Sequence, residues 1–151
     1  MELYYIIAVT DAAKGEHMNT LYRETGMHTI LSMPARGTAR SEHLDIYGLG
    51  AEPKTVISAV ASAQEAAQLL RAAKRKLLID IPGNGIMMAI PLKSVAGGRT
   101  LAYLTGGKAL EGGKPDMDFE YELIVVILNE RYSELVMDAA RAAGARGGTV
   151  L

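Results

Sequence analysis

Cysteine and tryptophan are both missing from this sequence, and phenylalanine occurs once in 151 residues. Without thiols there is no disulfide framework, no thiolate nucleophile, no CxxC redox pair and no thiolate zinc site. A chain without cysteine also fits a reducing compartment. Neither sign of charge is in excess: 16 Lys and Arg face 17 Asp and Glu, leaving a formal charge of -1. That balance argues against the basic footprint of a nucleic-acid binder. No apolar run approaches the roughly 18 residues of a membrane span, and Met1-Glu2-Leu3 lacks the basic start of a signal peptide. The expectation is a cytoplasmic protein of one domain or one and a fraction, with about two-thirds of its unfolded surface hidden on folding.

What is present reads as alternating strands and helices. Leu3-Tyr4-Tyr5-Ile6-Ile7-Ala8-Val9 is apolar on both faces, which predicts a central strand. Met18, Leu21, Tyr22 and Thr25 fall at helical spacing, and Gly26 stands where a helix commonly ends. A second strand is predicted over 27–33 and a third over 54–61. Between them, 34–53 has no periodicity and reads as a loop of unusual length. Ser62-Ala63-Gln64-Glu65 is a capping box opening a helix with the stripe Ala66, Leu69, Leu70, Ala73 and Leu77. Pro82-Gly83-Asn84-Gly85 signals a turn before a fourth strand over 86–92. The order β-α-β-β-α-β predicts an α+β, ferredoxin-like sandwich over 1–96, four antiparallel strands with both helices on one face. Its other face would be apolar, with Ile7, Val9, Ile30, Val56 and Met88 as candidates, and would need a cover, which association with other copies would supply.

Residues 97–118 read as a Gly-rich linker carrying a small hairpin around Leu101-Ala102-Tyr103-Leu104. Beyond it, a constant offset of 118 pairs Val9 with Ile127, Met18 with Val136, Leu21 with Ala139, Tyr22 with Ala140 and Gly26 with Gly144. With two extra residues, Thr29-Ile30-Leu31 pairs with Thr149-Val150-Leu151. Residues 119–151 are therefore expected to be the first half of a second repeat, a partial β-α-β.

Motifs for chemistry are sparse. There is no G-x-S-x-G elbow, and His17, His28 and His43 have no metal-ligand spacing. Gly107-Lys108 lacks the other positions of a phosphate loop. Arg71, Lys74, Arg75 and Lys76 make a basic helix end, which suits the helix dipole and reads first as a solvated face, with phosphate binding as the functional alternative. RNA-recognition modules share the strand order but stack bases on aromatics. Here the lone Phe119 lies elsewhere, and the second and third strands have none. No catalytic residues or metal site are expected, so a regulatory or interaction domain with a long loop is favoured over an enzyme.

Several of these residues resemble the PII nitrogen-regulatory signalling family. Ala35-Arg36-Gly37-Thr38 resembles the start of its T-loop, Tyr47-Gly48 its tyrosine-glycine region, Pro53-Lys54 the entry to its third strand, and Pro82-Gly83-Asn84-Gly85 its B-loop. The resemblance covers 1–96, with a half copy over 119–151. It implies a non-enzymatic homotrimer that senses an adenine nucleotide (ATP, ADP or AMP) or a related metabolite between subunits. It also implies regulation of a nitrogen-metabolism or transport partner through the T-loop. Carried over residue by residue, it places Arg36, Gly37, Thr38, Lys54, Gly83 and Gly85 at the nucleotide. Leu44, Ile46, Tyr47 and Leu49 become the partner-binding anchors, with Tyr47 at a position some members modify with a nucleotidyl group. The sequence departs from the family where a lysine is expected after the B-loop, which here is Ile86. It has no T-loop glutamine near Thr38 and Ala39, and only Lys93 and Arg99 where paired arginines belong. These departures count against Mg and 2-oxoglutarate. The alternative reading is a trimeric ferredoxin-like scaffold or small-ligand sensor with no nucleotide role.

Overall fold

The computed structural model describes residues 2–36, 53–95, 97–107, 120 and 122–145. It divides into two compact units, Met1–Asp116 and Met117–Leu151, which are taken separately.

In the first unit, β1 (Leu3–Asp11) leads through a 3-10 turn (Ala12–Lys14) into α1 (Gly15–Glu24), followed by β2 (Ile30–Arg36), β3 (Pro53–Ser62), α2 (Ala63–Leu77) and β4 (Ile86–Pro91). The sheet order is β2-β3-β1-β4, with every neighbour antiparallel. This is the ferredoxin-like α+β arrangement, with the doubly apolar β1 at its centre. Ile6, Ala8, Ile57 and Ala59 alternate toward the helices and are buried with Met18, Leu21, Tyr22 and Leu69. Tyr22 is fully buried, and its hydroxyl donates to the Ile57 carbonyl at 3.3 Å. Burial pushes that phenol well above the usual tyrosine range.

Register decides which face each side chain takes, because directly opposed residues share a face. Ile30 stands opposite Ala59, which stands opposite Ile6, so Ile30 belongs to the helix-covered core and not to the open face expected of it. The open face instead carries Ile7, Val9, Leu31, Met33, Val56, Ile86 and Met88. The second strand also starts later than expected, at Ile30 and not at 27. Met27 is spent on closing α1: its N–H donates to the Tyr22 carbonyl at 3.2 Å across Gly26, which has φ +88. The strand then runs on through Pro34 to Arg36, which the sequence reading gave to the loop. Pro34 lies in an edge strand and Pro53 opens β3, both positions where a missing N–H costs little.

The expected hairpin at 101–104 is instead a helix, α3 (Gly98–Leu104). Leu101 and Leu104 sit one turn apart and are half-buried, while Ala102 and Tyr103 are exposed, so the spacing is helical. The end of α3 meets His28, whose ring packs edge-on against Tyr103 at 6.2 Å.

In the second unit, residues 122–129 lead into a 3-10 turn (Glu130–Tyr132) and α4 (Ser133–Ala142). The strand expected around Ile127 is not part of any sheet among the described residues. A strand exists through the neighbour it bonds to, and in the second unit none lies beside this run among the described residues. Thr149, Val150 and Leu151 lie outside the described residues.

Candidate functional site

The C-terminal end of β1 gathers the chemistry of the first unit. Asp11 ends the strand, and its register partner on β3 is Lys54, itself opposite Ala35 on β2. The Lys54 ammonium donates to Asp11 Oδ1, and Lys14 Nζ lies 3.9 Å from Asp11 Oδ2. Lys14 also donates to Asn84 Oδ1 at 2.7 Å. Asn84 is fixed in turn, since its side-chain amide donates to the Leu78 carbonyl at 3.1 Å and its own carbonyl accepts from Thr10 Oγ1 at 3.3 Å. Two ammonium groups thus share one carboxylate beside the turn between α2 and β4. The hydrogen bond from Lys54 holds the Asp11 carboxyl below its usual range. Partial burial opposes this, and the charges of Lys54 and Lys14 add to it.

The turn glycines differ in role. Gly85 has φ +121, and a Cβ there would lie 2.4 Å from the Val9 carbonyl oxygen. It is glycine because β4 starts against the β1 backbone. Gly83 has φ +92 and nothing within 4 Å of its Cβ position. This glycine leaves its backbone approachable from outside, which a phosphate or carboxylate needs.

Of the residues assigned to a nucleotide, Lys54, Gly83 and Gly85 therefore belong to one neighbourhood, linked through Asp11, Lys14 and Asn84. Arg36 ends β2, exposed, opposite Pro53 and so one residue along β3 from Lys54. Gly37, Thr38, Leu44, Ile46, Tyr47 and Leu49 lie outside the described residues, as does His43. Sequence reasoning missed Asp11, Lys14, Thr10 and Asn84. The available signals were the Asp-x-x-Lys spacing that carries 11 and 14 out of the strand together, and an Asn between two glycines.

The basic end of α2 is engaged in surface ion pairs. Lys76 donates to Glu24 at 2.6 Å and Lys74 lies 3.2 Å from Asp80. Arg71 and Arg75 line a shallow groove between α1 and α2 with Leu21, Glu24 and Thr25. Among the described residues no group of three His, Asp or Glu could hold a metal ion, and no helix is long and apolar enough to cross a membrane.

No family model and no curated protein matches the chain. Solved structures of PII and PII-like proteins are similar to it. The Bacillus subtilis GlnK–ATP complex is 21% identical with a TM-score of 0.48, over 66% of this chain and 91% of that one. CPII from Thiomonas intermedia K12, bound to ADP, AMP and bicarbonate, is 13% identical with a TM-score of 0.48, over 61% of this chain and 91% of that one. Arabidopsis thaliana PII bound to citrate is 13% identical with a TM-score of 0.49, over 66% and 85% of the two chains. At these identities the likeness is one of fold.

Proposed function

We propose that this chain is a non-enzymatic signal-transduction regulator of the PII type. In this reading an adenine nucleotide, or a smaller anionic metabolite, is sensed beside Lys54 in a cleft between subunits of a homotrimer. Segment 37–52 carries that state to a protein target in nitrogen metabolism or transport, through Leu44, Ile46, Tyr47 and Leu49. The observation that carries the reading is the convergence of Lys54 and Lys14 on the single carboxylate of Asp11, next to the turn holding Gly83 and Gly85. Ammonium groups beside an approachable backbone turn are of the kind that attracts phosphate. The approachable backbone at Gly83 and exposed Arg36 near the same end of the sheet support it further.

The alternative, a ferredoxin-like scaffold or small-ligand sensor with no nucleotide role, is favoured by one specific feature: Lys54 and Asp11 already answer each other within the chain. Calorimetry separates the two. ATP, ADP, AMP and bicarbonate are titrated into the protein and into Lys54→Ala. The regulator reading expects heat with at least one nucleotide, and a loss of about 1.5–3 kcal/mol in Lys54→Ala, the range for a charge-assisted hydrogen bond. No heat with any nucleotide at millimolar concentration removes that reading and leaves the scaffold.

A further inference from the structure

Asp11 stands where a helical turn is normally capped, and it does not cap. With φ -60 and ψ 142 it precedes the turn Ala12–Lys14 that leads into α1, yet its side chain accepts no cap hydrogen bond. An Asp in this position ordinarily accepts from a backbone N–H two or three residues on, here that of Ala13 or Lys14. Its carboxylate is instead committed across the sheet to its register partner on β3, Lys54, whose ammonium donates to Oδ1. Lys14 is close as well, with Nζ 3.9 Å from Oδ2, but gives its hydrogen bond to Asn84 Oδ1 at 2.7 Å. Two other resting places for the Asp11 carboxylate therefore lie on its own turn: the uncapped N–H groups and the Lys14 ammonium.

An anionic ligand that reaches Lys54 meets this carboxylate. A phosphate or carboxylate oxygen bonded to the same ammonium would lie beside Asp11 Oδ1, and like charges that close repel one another. We infer that Asp11 is an internal competitor for Lys54: the ligand anion takes Lys54 from it, and the released carboxylate falls back on the Ala12–Lys14 turn, which it then caps. The exchange reaches the turn between α2 and β4 through Lys14. Once Lys14 answers Asp11, its hold on Asn84 weakens, and Asn84 is the residue whose backbone carbonyl and side-chain amide tie that turn to Thr10 and Leu78. Asp11 thereby sets how strong an anion must be to register at the site and couples its arrival to the start of α1. This inference rests on the reading of Lys54 as the ligand's contact and adds to it the residue that regulates access.

Calorimetry of Asp11→Asn beside the parent protein, with ATP, ADP, AMP and bicarbonate as probes, tests it. Asn keeps the shape of the side chain and removes its charge. Whichever probe binds the parent should bind Asp11→Asn about fivefold more tightly, equivalent to about 1 kcal/mol and at the upper end for a partly exposed ion pair. Equal affinity overturns the competition. Weaker binding by Asp11→Asn overturns it too, because Asp11 would then be positioning Lys54 for the ligand. No heat from either protein with any probe is a different failure, which removes the anion site and this inference with it. A crystal structure of the parent with the bound probe gives a readout that needs no variant. Lys54 Nζ should lie on the ligand and beyond ~4 Å from the Asp11 carboxylate, with Asp11 accepting from the Ala13 or Lys14 N–H. A complex in which the Lys54–Asp11 pair is intact overturns the exchange.

Discussion

Asp11 is the residue on which the candidate site turns, and its titration is measurable. Its carboxyl is held below the usual range, chiefly by the hydrogen bond from Lys54. A group whose pKa is depressed by folding contributes stability above its unfolded value, near 3.9 for Asp, and loses it as pH falls through the lower folded value. The side chains of Asp11 and Lys54 are 31% and 25% exposed, so solvent screening keeps the contribution to about 1 kcal/mol. Asp11→Asn should lower urea-unfolding stability by about that amount at pH 7 and show a flatter loss than the parent between pH 5 and pH 2. Parallel acid limbs for the two proteins would mean the pair is energetically idle. Lys54 could be picked out of the sequence because Pro53-Lys54 resembles the entry to the third strand of the PII family. Asp11 could not, since an Asp at a strand end reads as ordinary turn chemistry until the β1–β3 register sets it across from Lys54.

Among the elements, the start of α2 and the antiparallel sheet were legible and the helix α3 was not. The capping box forms as the sequence predicts: the Glu65 N–H donates to Ser62 Oγ at 3.3 Å and the Ser62 N–H donates to Glu65 Oε2 at 2.9 Å. Such a box is local, four residues answering one another, so no distant contact is needed to see it. Ser62→Ala leaves Glu65 in place but removes the acceptor for its N–H. It should cost about 1 kcal/mol, within the range of about 0.5–2 for N-caps, read as a lower midpoint in urea with an unchanged slope. A loss below about 0.3 kcal/mol would mean that Glu65 alone secures the helix start. The α3 helix shows the opposite case. Over Leu101-Ala102-Tyr103-Leu104 the pattern is too short to separate a period of two from one of 3.6. The contact between Tyr103 and His28, 75 residues earlier in the sequence, helps hold it, with Thr29 Oγ1 adding a long hydrogen bond to the Tyr103 carbonyl at 3.4 Å.

At the scale of the whole first unit, the helices cover one face of the sheet and, among the described residues, the other face has no layer. Ile86 and Met88 are 53% and 42% exposed there, and Ile7, Val9, Leu31, Met33 and Val56 are only half-buried beside them. Ser58 sits between Ile7 and Leu31 in the register. Its Oγ is buried without a hydrogen-bond partner among the described residues, so polar side chains do little to relieve this surface. The β-α-β-β-α-β order was enough to expect such a face, but its members depended on a register that the sequence leaves open, and pairing with Ala59 puts Ile30 on the other side. A contiguous apolar patch of this kind is normally covered by association. Covering Ile86 and Met88 alone removes on the order of 100 Å² of apolar surface per chain, or about 2.5 kcal/mol at 25 cal/mol per Å². A lysine in place of Met88 would forfeit its share and bury an ammonium group without a partner. If the first unit assembles through this face as a homotrimer, the parent protein should sediment as a trimer or larger at tens of micromolar, and Met88→Lys should lower the particle mass at the same concentration. A parent that sediments as monomer would show that the open face does not drive assembly. A Met88→Lys variant of unchanged mass would move the interface away from β4.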